Sequence, residues 1–252
     1  MLWSCSSNKE IEIDPGLTRY VDPFIGTADH GHVYPGATVP FGAVQLSPDN
    51  GTQGWDWCSG YNYIDTTIVG FSHTHLSGTG IGDLCDILTM PVNVPLDLTK
   101  PVDDVRNAAF ATTFSHDQEE ASPGYYAVIL DNGIEVELTA TQHVGMQRYH
   151  FPEGGMTQVV MDLGYAINWD RPTKTSIGQY EATIYTGARQ STGWAKDQRI
   201  FFACAFSEAP ASMQLYDSTS VLSGNSAEGR RIRALWEWPD GTEDLLVKVG
   251  IS

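Results

Sequence analysis

Residues 125–151 read YYAVILDNGIEVELTATQHVGMQRYHF, and this stretch decides the fold class. Asp131-Asn132-Gly133 separates two apolar-rich runs, and Asn and Gly tolerate the positive backbone angles that a tight hairpin turn needs. In the second run Ile134, Val136 and Leu138 alternate with Glu135, Glu137 and Thr139. Side chains on a strand point alternately to opposite faces, so this pattern buries one face and wets the other. The spacing predicts an antiparallel hairpin. Working outward, short apolar runs at 158–161, 182–188, 200–206, 232–238 and 245–249 are punctuated by Gly, Pro, Asn and Asp. No helical periodicity persists for a dozen residues. The pattern predicts an all-β chain whose strands form one large antiparallel β-sandwich. Residues 1–18 are polar and are expected to form a flexible tail, leaving 19–252 for the sandwich. The last stretch, EDLLVKVGIS (243–252), keeps strand character almost to Ser252 with little closing turn chemistry. That predicts an open apolar edge at this end.

Composition excludes more than it selects. Acidic residues number 31 against 14 basic, a formal charge of −17. Such a chain repels a phosphate backbone and an anionic membrane surface, so nucleic acid is not an expected partner. A neutral ligand such as a sugar is compatible with the charge. No run of 18 consecutive apolar residues predicts a transmembrane helix. The cysteines Cys5, Cys58, Cys85 and Cys204 have no CxxC spacing, which removes the simplest argument for a zinc ribbon or a thioredoxin-type site. The opening MLWSCSSNKE puts Leu2 three residues before Cys5 and Ser4 beside it, like the end of a bacterial lipoprotein signal without its charged and apolar regions. On that reading Cys5 is lipidated, the protein is exported to the periplasm or outer membrane, and its membrane contact is through the lipid alone. The alternative is a tail with no such role.

Residues 22–90 concentrate Gly, Trp, His and Asp in loop-like sequence, where binding groups usually sit. Trp55 and Trp57 flank Asp56. In an extended segment the two indoles share a face and form one aromatic wall; a loop conformation instead turns Asp56 into the same pocket. The C–H faces of a pyranose stack on indole and its hydroxyls need polar partners, so this trio suits a sugar. Burial of both tryptophans in the sandwich core is the competing reading. His30/His32 and His73/His75 have HxH spacing, which on a strand puts both rings on one side and suits a transition metal, but no third ligand stands out. Structural histidines or sugar-hydroxyl partners fit these pairs better. A nucleophilic Cys58–His73 pair lacks an orienting third group. Asp83 and Asp86, with Asp56, suggest a paired-carboxylate glycosidase, with turn-capping aspartates as the default.

Two longer runs, VDPFIGTADHGHVYPGATVPFGAVQLSPD (21–49) and GWDWCSGYNYIDTTIVGFSHTHLSGTGIGDLCDILTMP (54–91), closely resemble the opening of glycoside hydrolase family 92, bacterial α-mannosidases. Further matching runs are SPGYYAVILDNGIEVELTATQHVGMQRYHFP, GWAKDQRIFFACAF and LLVKVGIS, so the resemblance extends from about Tyr20 to Ser252. It implies the family's amino-terminal super-sandwich, followed in the family by an (α/α)6 barrel that supplies the catalytic acid, the base and the calcium ligands. The implied activity is calcium-dependent, inverting, exo-acting hydrolysis of terminal α-mannosides of glycans. The resemblance nominates Trp55, Asp56 and Trp57 from GWDWC, and His73, His75, Thr79 and Gly80 from FSHTHLSGTG, as sugar contacts. It implies no catalytic residue and no metal ligand in residues 1–252, so the isolated chain is expected to be inactive. Its partners are then α-mannoside glycans and the barrel of the same polypeptide. The rival readings are a stand-alone, non-catalytic carbohydrate-binding sandwich and a metal hydrolase built on the histidine pairs.

Overall fold

A computed structural model describes residues 16–51, 53–239 and 241–252. The Cys5 lipidation site and residues 1–15 of the expected tail lie outside them. Residues 16–18, assigned to that tail from sequence, belong to an exposed 3-10 turn, Gly16–Tyr20.

Two antiparallel sheets make up the sandwich. Among the described residues one has eight strands, running in space from Ala37–Thr38 through Gln45–Asp49, Gly70–Ser72, Leu88–Val92, Thr157–Asp162, Ile232–Trp238 and Ser212–Asp217 to Ser220–Leu222. The other has ten, in the order Ser226–Gly229, Arg171–Gln179, Ile184–Thr192, Gln198–Phe206, Asp244–Ile251, Val144–His150, Glu135–Ala140, Tyr125–Leu130, Thr112–Ser122 and Thr67–Ile68. The hairpin read from sequence is present: Val128 faces Val136 across the pair. Ile134, Val136 and Leu138 are buried while Glu135 and Thr139 meet solvent.

The strand at the chain's end differs from expectation. Asp244–Ile251 is an interior strand, paired on one side with Gln198–Phe206 and on the other with Val144–His150. Leu245, Val247 and Val249 are fully buried. Its apolar character is therefore that of a central strand, and the predicted open edge does not exist there. The four strands that do bound the two sheets are two to four residues long. Short edges offer little unpaired backbone to another chain.

The strands Thr112–Ser122 and Arg171–Gln179 carry no apolar alternation in sequence. Thr112–Ser122 buries only Phe114 fully, and its Glu119 carboxylate turns inward to accept hydrogen bonds from the hydroxyls of Tyr61 at 2.9 Å and Tyr126 at 2.7 Å. His116 Nδ1 lies 2.8 Å from the same carboxylate. A buried carboxylate persists only with such partners. Between the sheets lies one apolar cluster. At its centre Trp236 is fully buried, its ring edge-on to Tyr185 at 4.9 Å and Phe206 at 5.0 Å from the opposite sheet. Edge-to-face geometry suits aromatic quadrupoles and adds to the area buried.

One charged side chain crosses this apolar interior. Arg189, on Ile184–Thr192, is 1% exposed. Its guanidinium ion-pairs with Asp86 and Asp170 and donates to the carbonyls of Leu163 at 3.1 Å and Tyr165 at 2.8 Å. Asp86 also accepts from Thr74 Oγ1 at 2.7 Å and Gln198 Nε2 at 3.0 Å. The planar fork of Arg can meet several acceptors at once, which the point charge of Lys cannot. Asp86 precedes Leu88–Val92 and Tyr165 follows Thr157–Asp162, both in the eight-stranded sheet, so Arg189 ties the two sheets together. Replacing Arg189 with Met keeps the volume but strands two buried carboxylates. Urea unfolding at pH 7 is expected to show a loss of about 3–5 kcal/mol. A loss under about 1 kcal/mol contradicts this role.

Candidate functional site

The GWDWC segment is neither extended strand nor core. Trp55–Trp57 forms a 3-10 turn after Gly54, whose φ of 146° suits glycine. A turn sends the two indoles apart. Trp55 Nε1 donates to the Gly80 carbonyl at 2.7 Å, leaving the ring 57% exposed. Trp57, half-buried, donates to Asp65 Oδ2 at 3.2 Å. Of the two geometries open from sequence, the loop is the one adopted, and the single wall of two indoles is not formed.

Asp56 points toward the HGH segment. Its Oδ1 accepts from His30 Nδ1 at 2.6 Å and lies 3.4 Å from His32 Nε2. Trp55 packs edge-on to His32, with ring centroids 4.1 Å apart, and tilts over His30 at 5.4 Å. The hairpin of chain holding the histidines is sterically fixed: a Cβ on Gly31 would fall 1.7 Å from the Gly26 carbonyl oxygen. His32 itself has φ 55°, a strained left-handed conformation for a non-glycine residue. The hydrogen bond and the charge of Asp56 hold His30 above the ordinary imidazole pKa. The hydrogen bond from His30 in turn holds Asp56 below the ordinary carboxylate value.

Thr79 and Gly80 border the same face. Thr79 is exposed and its hydroxyl accepts from Ile81 N at 3.3 Å. Gly80 has φ 63°, which strains any residue with a side chain, and a Cβ there would sit a tight 3.1 Å from the Trp55 ring. His73 and His75 lie elsewhere. His73 is completely buried, with Nδ1 2.8 Å from the Ile87 carbonyl and Nε2 3.4 Å from Gln147. Burial lowers its pKa to about 4. His75 sits 2.7 Å from the Gln45 carbonyl through Nδ1, and its Nε2 lies 3.2 Å from Ser72 Oγ and 3.5 Å from Asp49. The two rings reach different partners, so this HxH pair does not converge on one point. The ring nitrogens of His73 are engaged by Ile87 and Gln147, which leaves none for Cys58.

Asp83 and Asp86 are 2% and 1% exposed. Asp83 accepts from the backbone N–H groups of Leu84 at 2.9 Å and Trp194 at 2.6 Å. Asp86 is held by Arg189. Neither is placed to act on a ligand at the surface. The sequence reading passed over Trp169 and Trp194, yet both are exposed beside this loop, with parallel rings 4° apart in plane and centroids 6.2 Å apart. Their sequence signal is weak but present: each indole interrupts a polar loop, INWDRP or TGWAKD, instead of an alternating strand.

The His30–Asp56 pair gives a direct titration test. Because the folded-state pKa of His30 is raised, the pair's favourable contribution is complete below the unfolded value and is lost as pH rises through the folded one. NMR titration is expected to place the His30 midpoint above about 6.5 and to bring it back toward that value in Asp56→Asn. Identical midpoints in the two proteins contradict the pairing.

Comparison with known proteins agrees with this architecture. The model of the glycosyl hydrolase family 92 N-terminal domain matches residues 20–252. A family GH92 α-mannosidase of Bacteroides thetaiotaomicron, solved with mannoimidazole, superposes with a TM-score of 0.87 at 34% identity, covering 94% of this chain and 32% of that one. An inverting mannosidase of the same family and organism superposes with a TM-score of 0.77 at 27% identity, over 94% of this chain and 31% of its own. A secreted glycosidase of Arthroderma benhamiae is 32% identical over 158 residues, 58% of this chain and 20% of its own length. The chain thus spans about a third or less of these relatives. With the family match extending over nearly all of the described sandwich, the chain belongs to glycosyl hydrolase family 92, as an N-terminal domain of that family.

Proposed function

We propose that this domain is the sugar-contacting portion of an exported, calcium-dependent, inverting exo-α-mannosidase that removes terminal α-mannosides from glycans. The observation that carries the reading is the exposed face made by Trp55, His30 and Asp56 above Gly80. An indole offers a flat apolar surface for the C–H face of a pyranose, and the carboxylate–imidazole pair offers hydroxyl partners at its rim. Thr79 adds a hydroxyl at the same edge. His73 and His75, buried on other partners, do not touch the sugar in this reading.

Catalysis is assigned to residues outside this chain. An inverting hydrolase needs one carboxylic acid and one carboxylate about 6.5–9.5 Å apart with a water between them. Asp83 and Asp86 are buried and engaged, and Asp56 is paired with His30. Calcium does not fit the metal-like clusters of this chain either. It takes six to eight oxygen ligands, whereas among the described residues the groups with ligand spacing are His30/His32/Asp56 and Asp49/His75/Cys85, each with one carboxylate among nitrogen or sulfur donors. Calcium in this reading belongs to another part of the polypeptide. Export, and lipidation at Cys5, belong to the same reading. Among the described residues no helix is long and apolar enough to cross a membrane.

Saturation-transfer NMR with methyl α-mannoside tests the reading on the chain itself. Transfer to the sugar ring is expected for the unmodified chain and is expected to vanish in Trp55→Ala. An aryl α-mannoside should release nothing, with or without calcium. Absence of transfer contradicts the sugar face, and hydrolysis that disappears on replacing Asp56, Asp83 or Asp86 contradicts the assignment of catalysis elsewhere. Sugar binding by a naturally complete product of this length would favour the stand-alone binding module.

A further inference from the structure

We propose that Trp169 and Trp194 form an outer subsite for a second pyranose of an extended glycan, continuous with the face around Trp55. The proposal rests on the sugar-contacting reading above and adds to it a preference for oligosaccharide over monosaccharide.

The exposed tryptophans among the described residues are anchored to one short segment. Among the described residues the exposed tryptophans are Trp55, Trp169 and Trp194; Trp57 is half-buried, and Trp236 and Trp238 are buried. All three exposed ones are hydrogen-bonded to the short loop Gly80–Asp83. Trp55 donates its indole Nε1–H to the Gly80 carbonyl, whereas Trp169 donates its backbone N–H to the Gly82 carbonyl at 3.0 Å and Trp194 its backbone N–H to Asp83 Oδ2 at 2.6 Å. The supports leave no slack. A Cβ on Gly82 would lie 2.1 Å from Asn168 Nδ2, and one on Gly193 would lie 2.7 Å from Asp83 Oδ1. Beneath them Asp170, next to Trp169, is fixed by Arg189.

Trp169 and Trp194 are 58% and 67% exposed. Their planes are parallel with centroids 6.2 Å apart, within the range of an offset stack, and the exposure of both residues leaves indole surface open to a ligand. Anchoring both residues through their backbones lowers the ordering cost of binding. The surroundings select a sugar over a protein or lipid surface. Exposed Thr192, Lys196 and Asp197 and half-buried Asn168 flank the two tryptophans in sequence, so polar side chains able to meet sugar hydroxyls accompany the indoles. The core of a protein interface is instead a contiguous apolar patch. The charge of −17 also disfavours an anionic bilayer.

The test compares methyl α-mannoside with a linear α-linked mannotriose by titration of the chain, with circular dichroism as the check on folding. The trisaccharide is expected to bind about five- to tenfold more tightly, as one further stacked ring would give. Trp169→Ala and Trp194→Ala are expected to remove that advantage and to leave methyl α-mannoside binding unchanged. Trp55→Ala is expected to weaken both ligands. Equal affinity of the two sugars, or a trisaccharide affinity indifferent to Trp169→Ala and Trp194→Ala, overturns the outer subsite alone and makes the pair a contact for protein. Binding of methyl α-mannoside that survives Trp55→Ala overturns the inner sugar face alone. Failure of both sugars to bind overturns both.

Discussion

The buried Arg189 guanidinium is the constraint on which the rest of the structure depends. It sits in an apolar sandwich where an unpaired charge is prohibitively costly, so its partners are dictated: two carboxylates and two backbone carbonyls. Those partners come from the loop before Leu88–Val92, the loop after Thr157–Asp162 and the residue leading into Arg171–Gln179. One cation therefore fixes two connecting segments, 73–87 and both ends of 163–170, at the same end of the sandwich. A set of apolar contacts would bring the sheets together but would not specify which loops meet.

That fixation has a local cost, and the cost marks where the site is. Leu84, Cys85 and Ile87 adopt φ of 68°, 58° and 58°, each disfavoured for a residue with a side chain by roughly 1–2 kcal/mol. Asp86, in their midst, is the residue that Arg189, Thr74 and Gln198 hold. Strain of this kind persists only where the surroundings over-determine the backbone. Here it places Gly80–Asp83 just beneath the surface, where Trp55, Trp169 and Trp194 are hydrogen-bonded to that segment. The sequence sets the core, the core sets the loop, and the loop orients the indoles.

The fold was legible wherever a strand has one apolar face. Residues 134–139 announce their burial by alternation, and the runs at 200–206 and 232–238 lie in strands of the structure. Thr112–Ser122 and Arg171–Gln179 were not legible, because their inward positions are filled by groups such as Glu119 and Thr175, whose burial depends on partners far away in sequence. The end of the chain misled for the opposite reason: apolar content does not tell a central strand from an unfinished edge. Spacing brought out the HGH and WDW segments, which the structure joins through Asp56. It could not separate them from the HTH segment, where burial decides, nor pick out Trp169 and Trp194, which become neighbours only through folding.

The central claim is that the loop held by Arg189 presents three indoles as one sugar face. It is tested most directly by fluorine NMR of the chain labelled with 5-fluorotryptophan, titrated with a linear α-linked mannotriose. The account expects the resonances of Trp55, Trp169 and Trp194 to move together with one saturating affinity, while those of the buried Trp236 and Trp238 stay in place. Silence of the three exposed resonances at saturating sugar, or movement confined to the buried pair, would contradict it.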